Sequence, residues 1–508
     1  MSDQPPKGAQ PFQEYSGKVS SQALVFLAGT VFSVVVGYLF KVYVGQQLGP
    51  EGLGLYALGQ RTVELLLVVA DLGLAMSLAR HVSLYKSTGQ GHRVRGLLIG
   101  AVLAVTLTTG LAATLLFFAR HAIATHIFDS PELAVILPLF ALLLPLGTLN
   151  TLLGEYLRGH QEVARRTLVG HFIQLPAKVA LTVALFAGGW GLMGYVAGEL
   201  GSLLLAGALL AYFGWRLTPP ADPKTPVPGP RLDGKVWAYA RSMVGLSALG
   251  FASTKADMVI LGILLTPKQV GIYSIALTTA AFVPTLLKAL NSIFGPVISD
   301  LHARNEHTLL TRLFQTTTKW CLVLTCPLVA VLVVYAADFM ALFGPGFRVG
   351  GGVLAILALG QLINVGTGSV GNLLVMSGHQ KYELWSAGFI AVITLGLDFL
   401  LIPRHGLLGA AIAAAVGLAV ANILRLLIVH RVLGIWAYNR SLFHVFPALA
   451  VSALSVRWLF DHGPQGPLGI LLALAVGYAV LILAAIPALD LDDRLFIDSL
   501  WRKIRRAP

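Results

Sequence analysis

LGPEGLGLYAL at residues 48–58 and LTPKQVGIYSI at residues 265–275 spell one small turn twice, 217 residues apart. Leucine, proline, glycine and tyrosine return in the same register, and each copy stands between two long apolar runs. Gly49 suits a tight turn, and Pro50 and Pro267 suit the first position of the following helix. Thr266 suits a helix cap, and Glu51 a place favoured by the helix dipole. Gly54 and Gly271 then let the hairpin pack closely, and Tyr56 and Tyr273 fall where an aromatic anchors at the outer membrane interface.

Other short matches keep nearly the same spacing. Gly17-Lys18 recurs as Gly234-Lys235, GHQ at 159–161 recurs at 378–380, and GLMG at 191–194 becomes GLLG at 406–409. Each is weak alone; together, in order, they mark an internal duplication. One repeat length holds six apolar runs. Six is even, so both copies enter a membrane in the same direction, which is a parallel repeat of the kind that builds many secondary transporters.

The composition agrees. Of 508 residues, 56% are hydrophobic and only 12% charged, with a mean hydropathy of +0.78. A soluble domain carries about 25% charged residues, so this chain belongs in a bilayer. Runs of bilayer length number about fourteen. The expected architecture is an all-α polytopic membrane protein: two six-helix lobes in parallel repeat plus two C-terminal helices. Boundaries fall at 1–18 for a polar, disordered N-terminus and 19–216 for an N-lobe. A Pro-rich linker covers 217–233, a C-lobe 234–433, spans thirteen and fourteen 434–487, and a basic tail 488–508.

The net charge of +13 does not point to nucleic acid. Its lysines and arginines sit in alternate short connections, the pattern of cytoplasmic loops, and place both termini in the cytoplasm. Cys321 and Cys326 lie on different faces of one apolar run and argue against a disulfide or a metal site. No GxxxxGK[ST] loop, HExxH or GxSxG occurs, so neither a P-loop ATP site nor any metal or cofactor is expected. His302 and His307 read as a solvated loop.

Ionisable residues within spans are the functional candidates, because each costs several kcal/mol unless it faces protein or a watery cavity. Span two carries Arg61, Glu64 and Asp71 on one stripe. Arg241, Lys255 and Asp257 belong to span seven, with Lys41, Lys178, Glu199 and Lys288 in spans one, five, six and eight. Lys319, Asp398 and Arg425, like Lys41, lie close enough to span ends to reach headgroups. Arg61 with Glu64 also reads as a structural i,i+3 pair. Cations outnumber carboxylates in spans one, two, five, seven and eight, which suits a multiply charged anion better than a cationic drug. Arg61, Lys255, Lys288, Lys41, Lys178 and Arg241 are therefore the candidate substrate contacts. Glu64, Asp71 and Asp257 are the candidates for proton or sodium coupling.

Fourteen spans arranged as two sixes plus two resemble the multidrug/oligosaccharidyl-lipid/polysaccharide (MOP) exporter superfamily. Within it, VGQQLGPEGLGLYAL after the first span and EYLRGHQEVARR at 155–166 are similar to the Wzx-type oligosaccharide flippases. The resemblance implies a bacterial cell-membrane flippase powered by an ion gradient. Its cargo would be an undecaprenyl-diphosphate-linked oligosaccharide, with membrane lipids and polysaccharide polymerase machinery as partners. A lipid II flippase or a multidrug exporter of the same fold, or a membrane-embedded polysaccharide-assembly enzyme, are the alternatives.

Overall fold

A computed structural model of the protein describes residues 9–218, 232–485 and 493. Most of the linker at 217–233, nearly all of the basic tail and the first eight residues lie outside the described set. The described residues form helices and connecting turns in two compact units.

The first unit holds residues up to Leu48 and Leu55–Phe251. Its helices are α1 (Ala9–Ala70), α2 (Leu74–Ser87), α3 (His92–Ala122), α4 (Leu133–Gly159), α5 (Val163–Thr167), α6 (Leu175–Ala187), α7 (Gly191–Leu217) and most of α8 (Gly234–Thr254). The second holds Gly49–Gly54 and everything from Ala252. It contains α9 (Ala256–Leu264), α10 (Pro267–Ala280), α11 (Thr285–Ala303), α12 (His307–Val334), α13 (Ala336–Ala341), α14 (Gly351–Gly366), α15 (Val370–Met376), α16 (Gln380–Leu433), α17 (Arg440–His462) and α18 (Gly466–Ala485). Helix α1 already begins at Ala9, inside the segment expected to be disordered.

Among the described residues, ten helices are long and apolar enough to cross a membrane, or up to twelve if two bent pairs each count as one span. The expected fourteen is not among these counts. The difference lies in two continuous helices, Val25–Ala70 of 46 residues and Gln380–Leu433 of 54. At 1.5 Å per residue each is about twice as long as one crossing needs. A glycine bends each of them, Gly49 at φ 66° and Gly406 at φ 55°. Gly191, which stands in the first GLMG where Gly406 stands in the second, also has positive φ. The duplication is thus legible in the backbone as well as in the letters.

Each unit turns apolar side chains outward. Leu107, Phe118, Trp385 and Leu483 are each more than two-thirds exposed, as helices facing hydrocarbon must be. Inside the first unit, Leu78, Val94, Leu152, Leu210 and Val236 bring α2, α3, α4, α7 and α8 onto one core. Inside the second, α17 and α18 pair through Ser452, whose hydroxyl donates to the Gly477 carbonyl at 2.8 Å. Tyr478 of α18 donates to Leu324 O on α12 at 2.8 Å. The two C-terminal spans therefore belong to the second unit.

The repeated turn has a role that its letters did not disclose. Gly49–Gly54 clusters with the second unit, and there the two copies pack on each other. A Cβ on Gly54 would lie 1.7 Å from the Pro267 carbonyl oxygen, and a Cβ on Gly271 would lie 1.8 Å from that of Pro50. Only glycine permits this reciprocal backbone contact, in which a Cα hydrogen faces each carbonyl. Pro267 opens α10 as expected, and Gln269 Oε1 accepts from Thr266 N at 3.1 Å.

Candidate functional site

In the first unit the intramembrane charges gather where α1, α6 and α7 meet. Pro176 starts the α6 segment after a π-helical turn over Leu168–Gln174, a local distortion common at functional sites. Lys178 follows, with Nζ 3.3 Å from Glu199 Oε1. The Tyr56 hydroxyl donates to Glu199 Oε2 at 2.6 Å. Lys178 Nζ also stands 4.9 Å from the Tyr195 ring centroid and 5.7 Å from that of Tyr56. This aromatic cradle lowers the cost of holding an ammonium away from water. Arg61 pairs with Glu64 one turn away. Lys41, on the first half of α1, lies within electrostatic reach of both Arg61 and Lys178. Three cations share this interior with two carboxylates. The excess is positive.

Tyr56 and Tyr273 are not outer-interface anchors. Both are buried, and each hydroxyl serves a carboxylate inside its own unit. In the second unit the Tyr273 hydroxyl donates to Asp257 Oδ2 at 3.1 Å, while Oδ1 of the same carboxylate accepts from Met258 N at 2.8 Å. Asp398, on α16, has no exposed surface, and neither of its oxygens has a hydrogen-bond partner among the described residues. It lies within electrostatic reach of Asp257. Asp257, Asp398 and Tyr273 thus stand together in the second unit.

Lys255, Arg241, Lys288 and Asp71 complete the set of candidates. Lys255 occupies the break between α8 and α9, where the chain bends by 52°. Arg241 on α8 and Lys288 on α11 are exposed. Asp71 sits where α1 ends, within electrostatic reach of Glu155, and its Oδ1 is unpartnered among the described residues. Glu155 is itself buried, with Arg166 Nη1 2.9 Å from Oε1. Arg158 Nη2 stands 2.5 Å from Oε2, an ion-pair contact without hydrogen-bond geometry. The segment at 155–166 is therefore folded around one buried carboxylate.

Three residues placed near span ends do not reach for headgroups. Lys319 is 4% exposed and paired with Asp493 at 2.6 Å. Arg425 makes two bonds to Glu383, at 2.8 and 2.5 Å, and Asp398 is sealed. Tyr195 and Glu383 escaped sequence reasoning, and Tyr56 and Tyr273 received another role there, because an uncharged or loop-proximal partner carries no periodic signal. The return of a tyrosine 217 residues on was the only pointer.

The architecture matches known transporters. The lipid II flippase MurJ in an inward closed conformation superposes with a TM-score of 0.70 at 14% identity, covering 91% of this chain and 98% of that one. An inward-facing multidrug resistance MATE family transporter of the MOP superfamily gives 0.65 at 14% identity, covering 81% and 98%. At such identity the likeness defines the class of fold, that of the MOP transporters. By sequence, the family model described as polysaccharide biosynthesis protein matches residues 20–302, more than half of the chain. The protein belongs to that family. Its relatives include a probable low-salt glycan biosynthesis flippase, Agl15, of Haloferax volcanii, 23% identical over 80% of this chain and 82% of the relative. Stage V sporulation protein B of Bacillus subtilis is 22% identical over 81% and 83%.

Proposed function

We propose that the protein is a flippase for cell-surface polysaccharide synthesis. It moves a polyprenyl-diphosphate-linked oligosaccharide from the inner to the outer leaflet of the bacterial cell membrane by alternating access, with both termini in the cytoplasm. The observation that carries this reading is the net positive charge of the cluster in which Lys41, Arg61 and Lys178 stand with Glu64 and Glu199 within the first unit. A diphosphate gains charge-assisted bonds from a cluster with net positive charge, whereas a cationic drug is repelled. The Agl15 relative, a probable flippase of glycan biosynthesis, supports the same reading. Arg61→Gln is expected to reduce surface glycan by about tenfold or more in a flippase-deficient strain, with normal membrane insertion. Normal export by that variant would remove Arg61 from the site. Lipid-linked oligosaccharide accumulating on the inner leaflet after gene deletion separates this function from lipid II transport and from glycan assembly.

An ion gradient is the proposed energy source, and the second unit supplies its receptor. Asp398 is fully buried within electrostatic reach of Asp257, a setting in which a carboxylate is suited to take up a proton or a cation. Glu64 is committed to Arg61, which leaves Asp71 as the other carboxylate to test. Asp398→Asn in proteoliposomes is expected to abolish the response of flipping to an imposed proton or sodium gradient. A response equal to that of the unaltered protein would exclude Asp398 from coupling.

A further inference from the structure

The second unit carries a set of neutral amides that the charge argument leaves unused. Asn291 stands on α11, Gln361 and Asn364 on α14, and Asn372 on α15. The first three fall within apolar segments of span length, Asn291 at the end of the bent pair that begins at Pro267. An amide at such a place costs free energy if it faces hydrocarbon. At 100° per residue, Gln361 and Asn364 fall on the arc of the buried Leu354, Leu357 and Val365. The exposed Leu359 and Ile363 fall on the opposite side. Both amides are nonetheless only partly buried, so the side of α14 turned from lipid borders open space.

Helix α11 points the same way by a separate observation. Its exposed first positions are Thr285, Lys288 and Ala289, a small and polar face unlike the leucines and aromatics turned to hydrocarbon. Asn291 follows Lys288 by three residues, about 60° round the helix and about 4.5 Å along it. The bonds that hold these amides use only part of each. The Ser369 hydroxyl donates to Asn291 Oδ1, and Asn372 Nδ2 donates to Asn291 O at 3.1 Å. Asn364 Nδ2 donates to Gln361 Oε1 at 3.1 Å. Asn291 Nδ2, Gln361 Nε2, Asn364 Oδ1 and Asn372 Oδ1 have no hydrogen bond among the described residues. None of the four atoms is sealed in the packing. Two donors and two acceptors are thus held in place and uncommitted.

We propose that Asn291, Gln361, Asn364 and Asn372 form a saccharide-recognition subsite in the second unit, for the glycan part of the lipid-linked cargo. A sugar hydroxyl both donates and accepts, and an amide offers both functions without charge. Lys288, one turn from Asn291, supplies a cation for a phosphate carried by the bound sugar. This subsite rests on the flippase reading and names the part of the cargo that the second unit recognises.

Binding to the full chain in nanodiscs tests it with two probes. One is the lipid-linked oligosaccharide that accumulates when the gene is deleted, and the other is sugar-free undecaprenyl diphosphate. The unaltered protein is expected to bind the first about tenfold more tightly. Asn291→Leu/Asn372→Leu is expected to bring the two affinities together. That variant also loses bonds that tie α11 to α15, so if it melts early Gln361→Met decides. Gln361 bonds only within its own helix, and its replacement is expected to narrow the preference about threefold. A preference left intact in the deciding variant, or no preference in the unaltered protein, overturns the subsite and leaves the flippase reading standing. Failure of both lipids to bind removes the flippase reading, and the subsite with it.

Discussion

Gly271→Ala is expected to destabilise the protein by about 3 kcal/mol or more, a large overpacking effect. The added methyl would stand 1.8 Å from the Pro50 carbonyl oxygen, and a backbone carbonyl cannot rotate aside as a flexible side chain can. Gly54→Ala meets the Pro267 carbonyl at 1.7 Å and should behave alike. The measurement is thermal unfolding in detergent micelles, followed by tryptophan fluorescence and by retention on size exclusion. Gly37→Ala is the control, because a Cβ there has nothing within 4 Å and alanine is the better helix former. The double variant adds a sharper test. Once one methyl has forced the turns apart, the second costs less, so the two losses should be clearly sub-additive. Strict additivity, or a Gly271→Ala protein as stable as the Gly37→Ala control, would show that the contact does not hold in the membrane protein.

Asp493→Asn is the second large effect. Lys319 and Asp493 are 4% and 1% exposed, and the pair is tied further by Trp320 Nε1, which donates to Asp493 Oδ1 at 3.1 Å. Lys319 Nζ also donates to Ser441 Oγ at 2.9 Å. Removing the carboxylate charge strands a buried ammonium, at a cost of about 3–5 kcal/mol. Replacing both partners by apolar residues, as Lys319→Met/Asp493→Leu, should recover most of that loss, since an ion pair in a dry site is worth little against good apolar packing. Truncation before residue 493 should match Asp493→Asn. If Asp493→Asn melts with the unaltered protein, the Lys319–Asp493 pair does not stabilise the fold.

How far the letters reached can be seen residue by residue. Periodicity and composition made the helices and the duplication legible, and glycine with proline marked the turns, because those signals are local. Gly49, Pro267 and Gly406 act where the chain chemistry places them. The pairings were not legible. Tyr56 finds Glu199 and Lys319 finds Asp493 across most of a unit, and nothing in either segment announces the other. The error had one physical source for Lys319, Asp398 and Arg425. Depth along a helix was used as a proxy for exposure, whereas neighbouring helices decide exposure. The same reasoning took Tyr56 and Tyr273 for interface anchors when they are hydrogen-bond donors to buried acids. The charge excess of the first unit was visible in outline, but its aromatic cradle was not.

The reciprocal meeting of Pro50 with Gly271 and of Pro267 with Gly54 has the form of an isologous contact, in which residue i touches j and j touches i. Glu51 and Lys268 occupy equivalent places beside that contact with opposite charge, so the two turns meet as equals in backbone while their flanking side chains attract rather than repel.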